Sequence, residues 1–147
     1  MQQFEDSKGE RRILNIKNMK REDVAEYYLQ HGELTKKQRH DKEKILREQI
    51  SKSKKKHFYE WILAVKSKKG KVIGKIEVLD MGNSTAFVTI NLPDGEEKNR
   101  YGVEALDQFI KICKENKYFS TIELEKNNSI VRNYIENHGN NYIVKVA

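Results

Sequence analysis

One cysteine, one proline and no long hydrophobic run occur in the 147 residues of this chain. A lone Cys113 excludes an internal disulfide framework and leaves no cluster for a structural zinc site. No apolar stretch approaches the roughly 20 residues of a membrane span, and the polar opening from Met1 to Arg12 carries no hydrophobic segment of the signal-peptide kind. These absences point to a soluble, cytoplasmic protein. Hydrophobic residues make up 37% of the chain and charged residues 35%, so the core is lean and the surface densely charged. The net charge of +7 suits an anionic partner: nucleic acid, an acidic protein or a phosphate-rich cofactor. An evenly solvated, lysine-rich surface accounts for it equally well.

Hydrophobic periodicity divides the chain into ten elements. Arg12 to Met19 reads as a short strand, and Lys20 to Gln30 as a helix with Val24, Tyr27 and Tyr28 as apolar positions. Thr35 is a plausible N-cap for a basic helix reaching about Ser53, anchored sparsely by Leu34, Ile45, Leu46 and Ile50. The period then changes to two. Tyr59, Trp61, Leu63 and Val65 alternate, a turn follows at Ser67 to Gly70, and Val72, Gly74, Ile76 and Val78 share one face of a return strand, with Lys75 and Glu77 on the other. Met81 to Ser84 turns the chain into a strand from Ala86 to Leu92, stopped by Pro93. Gly102 to Asn116 carries an apolar stripe of Val103, Leu106, Phe109, Ile110 and Cys113. A strand from Ser120 to Glu125, a helix from Ser129 to His138 with Gly139 at its C-cap site, and a strand from Tyr142 to Val146 complete the order β-α-α-β-β-β-α-β-α-β. No repeat or linker interrupts it, so residues 1–147 read as one domain.

A three-strand meander followed by a β-α-β crossover implies an α/β (α+β) fold: a mixed, mostly antiparallel sheet flanked by helices on both faces. Lys71-Val72-Ile73-Gly74-Lys75-Ile76, the strand ending at Pro93, Tyr101-Gly102-Val103-Glu104-Ala105-Leu106, and Glu123-Leu124-Glu125 followed by Asn128 and Gly139 resemble, in order and spacing, the GNAT N-acetyltransferase family. The resemblance implies an acyl-CoA N-acyltransferase fold that uses acetyl-CoA to acetylate a small-molecule or peptide amine by direct attack on the thioester. On that basis Ile90, Asn91 and Leu92 would pair with the pantetheine arm. Lys98, Asn99, Arg100, Tyr101, Gly102 and Val103 would hold the pyrophosphate at a helix N-terminus, and Asn128 would either contact the cofactor as well or serve as a simple N-cap of the helix that follows it. No metal is implied.

The chain departs from the family pattern in the phosphate loop. The family places Gln or Arg, two residues, Gly, one residue, then Gly or Ala; Glu97-Lys98-Asn99-Arg100-Tyr101-Gly102 keeps only the last glycine. Lys98 and Arg100 would then grip phosphate by charge, or the Arg100 side chain would fill the site. The family's acid, a tyrosine seven residues after Asn128, is Ile135 here; Tyr134 stands one residue early, about 100° around the helix. Tyr134 is therefore either the acid after a small register shift or a core residue. Phe87 stands about where many relatives carry a glutamate, so no base stands out; Glu77, Glu123 and Glu125 lie near the expected cleft, with Glu77 taken as the candidate base, and a solvated sheet face accounts for each of them as well. His138 reads as structural. The family's seventh strand is missing after Val146, or another subunit supplies it in a homodimer. Two alternatives stand beside the enzyme. One is a catalytically inactive binding or regulatory module of the same fold. The other takes Lys36 to Lys56, with ten Lys or Arg residues, as a nucleic-acid surface, which the absence of interleaved aromatic residues disfavours.

Overall fold

The computed structural model describes residues 14–53, 60–93, 95, 98–138 and 144–146. Its elements are β1 (Leu14–Asn18), α1 (Asp23–Leu29), α2 (Lys36–Ser53), β2 (Glu60–Ser67), β3 (Val72–Gly82), β4 (Thr85–Asn91), α3 (Lys98–Asn116), β5 (Thr121–Leu124), α4 (Ser129–His138) and β6 (Val144–Val146). The strands form one sheet in sequence order. β1 to β4 are antiparallel neighbours, and β4–β5 and β5–β6 are parallel. The sheet is thus mixed and mostly antiparallel, as the element order predicts. β6 lies directly beside β5, and among the described residues no further strand follows it.

Each face of the sheet carries its own apolar cluster. On one face Trp61, Leu63, Val65, Ile76, Val78, Val88 and Ile90 pack against Leu106, Phe109 and Ile110 of α3 and Ile130 and Tyr134 of α4. On the other, Ile62 and Ala64 meet Val24 and Tyr27 of α1 and Leu46 and Ile50 of α2. β2 is buried on both faces, which explains its near-continuous apolar run. Ile45 differs from expectation: it is 56% exposed, because Leu46 and Ile50, one turn apart, already define the buried stripe of α2. Val72 also differs. A bulge between Val65 and Lys66 turns it to the α1–α2 face, away from Ile76 and Val78.

Val72 is also where α1 is fastened. Its N–H donates to Glu26 Oε1 at 3.0 Å, and its carbonyl accepts from Gln30 Nε2. The β3–β4 turn is tight, with Gly82, Asn83 and Ser84 all at positive φ and the Asp80 carboxylate accepting from the Gly82 N–H. Ser84 O in turn accepts the N–H groups of Ser120 and Thr121, fixing the start of β5.

Cys113 lies fully buried on α3, and burial pushes its thiol up to about 12. Since the thiolate is the reactive form, native protein at pH 8 should resist a thiol reagent such as Ellman's reagent. Labelling should occur only as the chain unfolds in urea, giving a single-site measure of global opening. Rapid stoichiometric labelling without denaturant would contradict the packing of α3.

Candidate active site

The β4–β5 ladder ends at Val88 opposite Leu124, whereas β4 continues through Thr89, Ile90 and Asn91. Past Val88 the two strands part, and the gap is bounded by the N-terminal turns of α3 and α4. These turns touch: Ser129 Oγ donates to Asn99 Oδ1 at 3.1 Å. The first amides of a helix have no carbonyl one turn earlier to pair with, and its dipole presents positive potential there. Two helix N-termini therefore converge on the open end of one cleft. Lys98 and Arg100 add formal charge, with the Arg100 guanidinium 5.6 Å from the centroid of the Tyr101 ring.

α3 starts at Lys98, a full turn before the expected Gly102. Lys98, Asn99, Arg100 and Tyr101 thus lie on a helical first turn. Gly102 is buried in the α3–α4 contact: a Cβ there would stand 2.6–2.8 Å from three carbons of Ile130. Its bare backbone admits a neighbouring helix. Val103 and Tyr101 are partly buried against the main core. Glu97, Gly139 and Tyr142 lie outside the described residues, as does the side chain of His138.

Asn128 sits inside the cleft. Its Oδ1 accepts the Ile130 N–H at 2.9 Å, capping α4, while its Nδ2 donates to the Ile90 carbonyl at 3.0 Å. The Ile90 main chain therefore points toward β5. Because successive strand residues alternate, Asn91, in register with Lys75 of β3, points back into the β3–β4 ladder, and Leu92 is the next to turn toward the gap. Leu92 itself crowds Gly74, where a Cβ would lie 2.8 Å from its side chain. Tyr134 is 1% exposed, within the main core.

Glu77 projects from the opposite, α1–α2 face, level with Thr89 of β4. Lys75 Nζ lies 2.5 Å from Glu77 Oε1 and 5.5 Å from the Tyr27 ring centroid. Burial, then Glu77, raises the pKa of Glu60, with Lys75 opposing; burial, then Glu77 and Glu43, raises that of Tyr28. Burial also pushes the Tyr27 hydroxyl up, helped by Tyr28, Glu77 and Glu33. Glu77 thus stands in a group with Lys75, Glu60, Tyr27 and Tyr28 that spacing alone did not assemble. Glu123 stands level with Phe87, on the same face of the sheet and one strand further along. Away from the cleft, Lys36, Lys37, Arg39, His40 and Glu43 of α2 line a concavity of about 550 Å³. Among the described residues no helix is long and apolar enough to cross a membrane.

No protein-family model and no curated protein sequence matches the chain. Solved structures do. A putative ribosomal-protein-serine acetyltransferase from Vibrio cholerae superposes with a TM-score of 0.63 at 14% identity, covering 94% of this chain and 82% of that one. A chimera of the spermidine N-acetyltransferase SpeG from V. cholerae and hSSAT gives 0.61 at 16% identity over 76% of this chain and 69% of that one. An acetyltransferase of the GNAT family from Staphylococcus aureus gives 0.51 at 17% identity over 86% and 83%. The six-stranded sheet and the helices on its two faces are therefore those of a known architecture: this chain has the fold of the GNAT N-acetyltransferases.

Proposed function

We propose that the chain is an acetyl-CoA-dependent N-acetyltransferase that transfers an acetyl group to a primary amine. One observation carries this reading: two helix N-termini, with Lys98 and Arg100 beside them, converge on the open end of the β4–β5 cleft. That end suits a pyrophosphate, and the main chain of Leu92 suits the amide of a pantetheine arm laid along β4. When bound, acetyl-CoA supplies an activated thioester, so the residues have only to position the reactants and move protons. The amine approaches from the α1–α2 face. There Glu77, oriented by Lys75 and partly exposed, is the group best placed to accept its proton, directly or through water.

Tyr134 fits packing better than proton donation, since it lies in the core and one residue out of the family's register. Tyr134→Phe should lose about 1 kcal/mol of stability at most and keep kcat within about threefold. A positioned general acid contributes about 10²- to 10⁴-fold, so a fall of that size would give the hydroxyl the acid's role.

Isothermal titration with acetyl-CoA, followed by thiol release over a panel of amines, tests the proposal. Micromolar binding with turnover is expected. The non-catalytic module draws support from the Ile90 carbonyl, which already has a partner in Asn128. Absence of binding at high micromolar acetyl-CoA would decide for that module. The acceptor follows from the α1–α2 face, whose carboxylates Glu60 and Glu77 favour an amine over an anion.

A further inference from the structure

Lys75 is a lysine set between the sheet and α1, and only 9% of it is exposed. A buried ion pair adds little to stability, because the attraction barely offsets the lost hydration of both charges. Its position is more telling. Lys75 lies in register with Ala64 and Asn91, and its Nζ meets Glu77 Oε1 at 2.5 Å, with the Tyr27 ring centroid 5.5 Å away. Glu77 is level with Thr89, the first residue of β4 past its ladder with β5, so the pair stands beside the mouth of the cleft. Other charged groups on this face have partners of their own: Glu33 has His31 at 2.9 Å, Glu43 has Arg47 at 3.7 Å, and Lys66 has Asp23 at 3.2 Å. Burial raises the hydroxyls of Tyr27 and Tyr28, which therefore stay neutral. Burial and then Glu77 raise the Glu60 carboxyl of β2, and Lys75 opposes them.

An amine attacks a thioester only as its free base, whereas an alkylamine at neutral pH is almost wholly an ammonium ion. A lone carboxylate at the acceptor position would hold that ion and favour the unreactive form. With Lys75 against it, Glu77 presents a neutral pair, and an incoming ammonium meets a fixed like charge. We infer that Lys75 is a positioning residue that neutralises Glu77 toward the acceptor, so that the amine docks as free base and not as an ammonium ion. The inference rests on the acetyltransferase reading above, with the α1–α2 face as the acceptor side. The ammonium proton is left to solvent before docking. Lys75 engages Glu77 Oε1, which leaves Oε2 to the amine. As the N–C bond forms and the C–S bond breaks, the surplus proton on nitrogen passes to Oε2 and the electron pair leaves with the sulfur.

The test is thiol release from acetyl-CoA, followed against pH with two probes. One is n-butylamine, protonated at neutral pH; the other is trifluoroethylamine, whose fluorines leave it neutral there. Lys75→Met and Lys75→Gln remove the charge, and Lys75→Arg keeps it. With n-butylamine at neutral pH, both uncharged variants should lose about tenfold in kcat and show a lower KM. The acid limb of the kcat profile should lie about one pH unit higher, since one pK unit is a tenfold change in free base. With trifluoroethylamine, kcat should stay within about threefold of the wild type, and Lys75→Arg should match the wild type with both amines. Titration of the same variants with acetyl-CoA should give the wild-type affinity, which excludes unfolding or damage to the cleft as the cause. Equal losses with the two amines, or an acid limb that stays in place, overturn the role of Lys75 and leave the acetyltransferase reading standing. A wild type that neither binds acetyl-CoA nor releases thiol overturns that reading and this inference with it.

Discussion

Gly102→Ala should destabilise the protein by about 1–2 kcal/mol, although alanine in a helix interior normally gains about 1 kcal/mol over glycine. The added methyl would lie 2.6–2.8 Å from Cδ1, Cγ1 and Cγ2 of Ile130, a β-branched side chain held in the core. Overpacking of this kind costs about 1–3 kcal/mol and at times more, which outweighs the propensity gain. Gly102→Val adds bulk and loses helix propensity, so its loss should exceed about 3 kcal/mol. Urea midpoints measure both variants. Shortening the facing side chain discriminates the cause: in the Gly102→Ala background, Ile130→Val should cost less than in the wild type, a coupling read from a double-mutant cycle. A Gly102→Ala protein as stable as the wild type, with purely additive Ile130 variants, would return the glycine to a role at the cleft.

The double charge reversal Lys98→Glu/Arg100→Glu should weaken acetyl-CoA binding by more than about 100-fold at low salt. Hydrogen bonds to charged groups contribute about 1.5–3 kcal/mol each, and the reversal sets two carboxylates beside the phosphates. The deficit should shrink as salt is raised toward about 1 M, where the screening length falls to about 3 Å. Lys36→Glu/Lys37→Glu, the same change in net charge made on α2, should leave affinity within about twofold at moderate salt. Equal losses in the two double variants would mean that only the overall charge of +7 matters, and that the first turn of α3 holds no phosphate.

The order of elements was legible because it rests on local signals. Alternation at Trp61, Leu63 and Val65 and the stripe from Val103 to Cys113 survive unchanged in the structure. What sequence reading missed depends on contacts between distant residues. Gly102 resembles a phosphate-loop glycine because its local context, a helix start, is shared by that loop; its close contact with Ile130, 28 positions on, has no local trace. Asn128 was legible as a cap, from its place before Ser129, but its bond to Ile90 spans 38 residues and has no local trace. Val72 followed its alternation until a bulge, invisible in the pattern, turned it over. The association of Lys75, Glu77, Glu60 and the two tyrosines likewise needed the register of β2 on β3 and the docking of α1.

The fastening of α1 at Val72 bears on how the molecule assembles. A helix of seven residues is far too short to persist alone in water, and its two ties, from Glu26 and Gln30, reach 46 and 42 positions along the chain. Such distant contacts carry a chain-closure cost that must be met before they stabilise anything. The β2–β3 hairpin, whose turn is local, has to form first and present the bulged Val72 as a ready anchor. The wall from which Tyr27 and Tyr28 project is thus among the last parts of the protein to become ordered.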